Sequence, residues 1–189
     1  MSDDITRREA VARTALFLGG TVAASSIAGV RGDAWARTIA PEWRAGTLTA
    51  GQSELVATIA EHIIPATDTP GARAAGVHRF IDVILSDYYK DGERKRFLDG
   101  LAALEARAER ELGAPFLKAT PKQRLGLLTA MDAESYPQSD RGWFFRRVKE
   151  LTLLGYYTSE QGAMSELKVN PMGVYRGDIP YRSIGHSWA

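Results

Sequence analysis

Apolar residues in this chain recur with the helical period, and no segment of the domain follows the period of a strand. Leu55, Ile59 and Ile63 fall every fourth residue, with Val56 and Ile64 beside them. Val77, Phe80, Ile81, Ile84, Leu85 and Tyr88 form a second stripe, and Phe97, Leu101, Leu104, Ala108 and Leu112 a third. Leu125, Leu128 and Met131 carry a fourth, and Trp143, Phe144, Val148, Leu151 and Leu154 a fifth. This spacing gathers apolar side chains on one face of an α-helix. The alternation that a half-buried strand requires is missing. Faces of this kind are buried by packing helix on helix. The expected fold is therefore all-α: a small bundle of five to six helices followed by an extended aromatic C-terminal tail.

Prolines and glycines set the boundaries. Pro65 ends the first stripe, because the residue before a proline is pushed out of helical geometry. In "PATDTPGARAAG", Pro65, Pro70, Gly71 and Gly76 flank Thr67, Asp68 and Thr69, which bond to their own backbone and fix a turn. Asp91 and Gly92 break the second stripe. The third helix carries Glu and Arg opposite its stripe, with Arg107 and Glu111 at neighbour spacing, the pattern of a solvated face. Gly113 and Pro115 end it. Thr120, Pro121 and Gln123 then spell a helix start. Ser139 or Asp140 is the expected cap of the next helix. Gly155 is expected to let the chain turn at Tyr156 and Tyr157, and Thr158 or Ser159 to start a short helix through Met164 and Leu167. After Lys168 the prolines and glycines of "VNPMGVYRGDIPYRSIGHSWA" exclude a helix. The organisation expected is residues 1–36 a leader, 37–50 an extended lead-in, 51–167 the helical domain and 168–189 the tail.

The leader is the most distinctive segment. Arg7 and Arg8 precede a mildly apolar run that reaches about Val30, and Ala34-Trp35-Ala36 offers the spaced small residues of a signal-peptidase site. Paired arginines point to the twin-arginine export route. Ala10 and Val11 stand where that signal usually has Phe and Leu. Two other readings are an ordinary amphipathic first helix and an uncleaved anchor. The run is near the lower limit of roughly 17–25 residues for spanning a bilayer, and Gly19, Gly20, Ser25 and Ser26 dilute it. A twin-arginine passenger crosses the membrane folded, and carries a cofactor or travels with a protein that does. The expected location is periplasmic, including the periplasmic face of the inner membrane.

Composition narrows the chemistry. A formal net charge of +1 and the even spread of charge argue against a nucleic-acid partner. Without cysteine there are no disulfides, thiolate metal sites, iron–sulfur ligands or c-type haem attachments. No dinucleotide fingerprint and no serine elbow occurs. The three histidines are His62, His78 and His186. His62 and His78, with Asp68 or Asp82, could hold a metal, and this supports an alternative reading as a stand-alone exported enzyme or metal-binding protein. Neither has the glutamate three residues earlier that a diiron site needs. Among Asp82, Asp87, Asp132 and Glu134 no spacing selects an acid–base pair. No catalytic residue and no cofactor is assigned.

Aromatic residues come as neighbours, among them Trp143-Phe144-Phe145 and Tyr156-Tyr157. Adjacent helix positions point about 100 degrees apart, so one of each pair faces away from the centre of the core. Trp143 and Phe144, followed by Arg146 and Arg147, have the composition of a partner-binding patch. Tyr156, Tyr157, Tyr175 and Tyr181 are further candidates for it. The other reading is a wide helix face buried between two layers and the tail.

Ile64, Pro65, Ala66, Thr67, Asp68, Thr69, Pro70, Gly71 and Ala72 resemble, in order, the hallmark loop of the small-subunit family of gluconate 2-dehydrogenase, called subunit 3 or the gamma subunit. "LGYYTSEQG" and the Asn-Pro-x-Gly-x-Tyr-x-Gly run from Asn170 to Gly177 are similar too, and the resemblance covers about Leu48 to Pro180. It implies a non-catalytic partner of a large FAD-dependent sugar or polyol dehydrogenase of the glucose–methanol–choline class, frequently with a multihaem cytochrome c. The small subunit of such complexes carries the twin-arginine signal, engages the translocase, and is needed for maturation and export of the flavoprotein. The resemblance also implies a structural role for Pro65, Asp68, Pro70 and Gly71 as a rigid corner, and a tail that lies along a surface.

Overall fold

Thr49 opens the first helix by a reciprocal cap. Its Oγ1 accepts the Gln52 amide at 3.3 Å, while Gln52 Oε1 accepts the Thr49 amide at 2.9 Å. In a computed structural model, which describes residues 44–136, 140, 142–167, 180 and 182, this helix, α1, spans Ala50–Ile63. It ends where Ile64 leaves helical geometry ahead of Pro65. Helix α2 (Val77–Val83) runs into a π turn at Ile84–Tyr88. Helix α3 (Asp91–Leu112) closes on Gly113 in the left-handed conformation, φ 73°. A 3-10 turn at Phe116–Lys118 leads to α4 (Pro121–Glu134), and α5 (Trp143–Thr158) is followed by a second π turn, Gly162–Glu166. Among the described residues there are five α-helices and no strand, so the fold is the all-α bundle expected. The leader, and the tail apart from Pro180 and Arg182, lie outside the described residues.

One device recurs at three helix junctions. Helices α3, α4 and α5 each place arginine at their fourth residue, and each guanidinium caps the element before it. Arg94 donates through Nε to the Leu85 carbonyl at 2.8 Å and through Nη2 to those of Ser86 and Tyr89 at 3.1 and 3.0 Å. Arg124 donates through Nε to the Phe116 carbonyl at 3.0 Å and through Nη2 to that of Leu117. Arg146 reaches the Ser135 carbonyl, just past α4, at 2.8 Å. The last carbonyls of a helical segment have no partner within it, so a guanidinium from the next helix both satisfies them and sets the angle between the two elements.

The core is one cluster with α2 at its centre, packed between α1 and α5. Tyr156, Phe80, Phe97 and Phe116 are its largest wholly buried side chains. Phe144 lies on Gly100, where any side chain would collide with its ring, and meets Phe97 edge-to-face at 5.4 Å.

The structure corrects four local expectations. Gly155 is not a turn: α5 continues to Thr158, and a Cβ at 155 would lie 2.8 Å from Phe80 Cδ1, so the glycine permits α5 to approach α2. Asp91 and Gly92 form the first turn of α3, and the break falls at Tyr89 and Lys90. Gly142 precedes α5 in place of a side-chain cap; the Asp140 carboxylate instead accepts from Arg96 at 3.0 Å, and Ser139 lies outside the described residues. Leu125 is 53% exposed, because α4 turns Leu127 and Leu128 inward. Ser159, by contrast, opens the last turn as expected, its Oγ accepting the Gly162 amide at 3.1 Å.

Candidate functional site

The loop between α1 and α2 is held from the inside at nearly every residue. Glu61, in the last turn of α1, accepts the Ala66 amide on Oε1 at 3.0 Å and the Arg73 amide on Oε2 at 2.9 Å, spanning the loop with one carboxylate. Gly71 makes this possible. A Cβ there would collide with the Glu61 carboxylate and sit 2.6 Å from the Ala66 nitrogen, so close approach is what requires the glycine. The Ala72 amide bonds the Ile64 carbonyl at 2.9 Å, and the Thr67 amide that of Thr69 at 3.0 Å. From α5, the Tyr156 hydroxyl donates to the Pro70 carbonyl at 2.7 Å. From the last π turn, Glu166 accepts the Thr69 hydroxyl at 2.6 Å. Gly76, at φ 72°, then opens α2.

The outer side of this corner faces solvent. Pro65, Ala66, Thr67, Asp68 and Pro70 are exposed. The Thr67 hydroxyl donates to Asp68 Oδ1 at 2.9 Å, and together with the amides of Asp68 and Thr69 it holds the Asp68 carboxyl below its usual range. Pro65, Asp68, Pro70 and Gly71 thus meet in one braced turn. Two of the residues that brace it, Glu61 and Tyr156, were not assigned that role from sequence.

Beside the corner lies a polar cluster. Arg73 forks onto Glu54 with two bonds of 2.9 Å and donates to the Thr58 hydroxyl at 2.8 Å. That bonding holds the Glu54 carboxyl below its usual range against a smaller opposing effect of burial, and raises Arg73. Both side chains are about half exposed, so water screens the pair and it orients more than it stabilises. His78 is the exception in the cluster. Its Nδ1 is buried without a hydrogen-bond partner, and burial, then the charges of Arg79 and Arg73, push its pKa down.

The residues considered for metal binding are separately engaged. His62 Nδ1 lies 2.8 Å from the Thr58 carbonyl oxygen, with its ring edge-on to Phe116. Both oxygens of Asp82 accept backbone amides, and Asp68 is occupied with Thr67. Among the described residues no three His, Asp or Glu side chains gather into a metal site. His186 lies outside them.

The candidate partner residues divide by burial. Phe144, 8% exposed, and Tyr156, wholly buried, belong to the core, against their sequence assignment to a partner surface. Adjacent helical positions had to diverge, and here Trp143 and Tyr157 are the outward members. Trp143 is half-buried, with the guanidinium of Arg96 4.3 Å and that of Arg147 5.7 Å from its ring centre. Tyr157 is 36% exposed and meets Tyr156 edge-on at 5.3 Å. Leu153, one turn before Tyr157, and Met164, in the last π turn, are also exposed. A groove of about 720 Å³ between α3, α4 and the start of α5 has Gly100, Ala103, Met131 and Trp143 among its lining, with Arg107 and Glu134 paired at 2.8 Å beside it. Tyr175 and Tyr181 lie outside the described residues. Among the described residues no helix is long and apolar enough to cross a membrane.

The family model described as gluconate 2-dehydrogenase subunit 3 matches residues 50–177, which take in the corner, the polar cluster and all five helices. Neither the curated proteins nor the solved structures compared contain a match to the chain. The chain belongs to the gluconate 2-dehydrogenase subunit 3 family.

Proposed function

We propose that this chain is a non-catalytic accessory subunit of an FAD-dependent sugar or polyol dehydrogenase. It binds the flavoprotein in the cytoplasm, supports its maturation, and carries it through the twin-arginine translocase on the signal built around Arg7 and Arg8. The complex then resides in the periplasm at the inner membrane, where a multihaem cytochrome c accepts its electrons. Membership of a dehydrogenase subunit family is the observation that carries this reading. The chemistry of the helical domain supports it: Glu61, Asp82 and His62 are each bonded to backbone that shapes the fold. The braced corner supports it as well, because a loop already fixed before association loses little conformational entropy on docking.

In this reading the partner surface comprises the outer side of Pro65–Pro70, the half-buried Trp143 and exposed Tyr157, and the tail with Tyr175 and Tyr181. Truncation after Leu167 tests it. Co-expressed with the flavoprotein, the truncated chain is expected to keep its helical circular dichroism and lose most of its co-purification with the partner. An unaltered complex would remove the tail from the interface.

A further inference from the structure

Asp82 stands in the middle of the apolar stripe of α2 and is 1% exposed. A carboxylate in such a place is unfavourable unless hydrogen bonds compensate for the water it has lost. Among the described residues, its hydrogen bonds come from one distant stretch of backbone. Oδ2 accepts the Gly46 amide at 2.6 Å, and Oδ1 accepts those of Thr47 and Leu48 at 3.0 and 2.7 Å. Three successive amides converge on one carboxylate from 34 to 36 residues away. Leu48 is buried in the core, and Gly46 lies against Ser86, where a Cβ would come within 2.9 Å of Ser86 Cβ. The Thr49 cap of α1 follows at once. Gly46 to Thr49 is therefore a strap: gripped at one end by α2, continuous at the other with α1.

We propose that Asp82 is a folding-dependent latch, which fastens the segment before the first helix to the core and makes its attachment conditional on α2. The amides of residues 46–48 find their acceptor only when α2 is helical and seated between α1 and α5. In an unfolded chain the carboxylate and the amides are separate, solvated groups. Once closed, the latch fixes Gly46 beside Ser86, in the π turn that continues α2. The latch rests on these contacts alone. Its use, holding an export leader at a fixed place on a domain that has folded, rests on the twin-arginine reading.

Hydrogen exchange on the full-length protein tests the latch. The Gly46 and Leu48 amides are expected to exchange at least about 100-fold more slowly than in a free peptide, as amides bonded to a buried acceptor do. Thr47→Pro removes the central donor and leaves Asp82 intact. It is expected to speed exchange at Gly46 and Leu48 by about tenfold or more, while Val56 and Ile59 in α1 keep their protection. Asp82→Asn, which turns an acceptor into a donor facing amide donors, is expected to do the same; if it unfolds the domain, Thr47→Pro alone decides. Unprotected amides in the parent, exchange unmoved by Thr47→Pro, or an equal loss of protection throughout α1 would each overturn the proposal. Export is scored separately, by the location of a variant with Arg7 and Arg8 both replaced by Lys. Unimpaired export there, with the strap amides still protected, would remove the leader reading and leave the latch standing.

Discussion

The hydroxyl of Tyr156 donates to the carbonyl oxygen of Pro70 at 2.7 Å, across 86 positions of sequence. The bond joins two stretches that carry the family resemblance, the Pro65–Gly71 loop and the Tyr156-Tyr157 pair. It also settles which tyrosine does what. Tyr156 is wholly buried and sets the inner side of the corner, and Tyr157 is left at the surface beside it.

Tyr156→Phe removes this bond and preserves the packing of the ring. A hydrogen bond of this kind contributes about 1 kcal/mol net. The expected result is a fall in Tm of roughly 3–5 °C, with faster hydrogen exchange confined to residues 64–73. An unchanged melting temperature would mean that the tyrosine contributes only its ring.

Gly71→Ala puts a methyl group where the Glu61 carboxylate and the Ala66 nitrogen now lie. The expected destabilisation is about 2–3 kcal/mol, read from denaturant midpoints. Part of it comes from Glu61 and part from backbone. In a Glu61→Ala background, itself less stable than the parent, the same change is expected to cost about 1 kcal/mol less. Strictly additive effects would show that Gly71 and Glu61 do not share the site.

Burial lowers the pKa of His78, and the sign of the pH dependence follows. The unfolded chain takes up a proton near the ordinary value of about 6.5, before the folded protein does. The contribution of neutral His78 is therefore complete above that value and lost as pH falls through the lowered folded one. Urea midpoints are expected to drop between pH 7.5 and pH 5, and His78→Asn to flatten the drop. An identical pH profile in the variant would assign the effect to other groups.

Some features whose donor and acceptor are close in sequence were legible before the structure, though the equally local Thr49–Gln52 cap was not. The Thr120–Gln123 cap is present as spelled, with Gln123 Oε1 accepting the Thr120 amide at 2.9 Å, and Pro65 stops α1. Features whose partner lies on another element were not. A glycine near a helix end reads as a turn, and nothing local distinguishes it from Gly155, whose role depends on Phe80 on α2. Nothing local marks Arg94 and Arg124 as caps, and Arg146 reads as part of a partner-binding patch, because their carbonyl acceptors belong to preceding segments. Asp82 reads as a candidate metal ligand or acid–base group, because the amides that occupy it lie 34 to 36 residues away. The 100-degree step between helix neighbours required Trp143 and Phe144 to diverge, yet only the packing of Phe144 on Gly100 decides which one points inward.

The central claim is that another polypeptide does the chemistry and this one brings it across the membrane. The most direct measurement is the flavoprotein's location and dehydrogenase activity in cells whose copy of this chain has Arg7 and Arg8 both replaced by Lys. The account predicts that both proteins accumulate in the cytoplasm and that periplasmic dehydrogenase activity falls to background. Full activity in the periplasm with the paired arginines gone would contradict it.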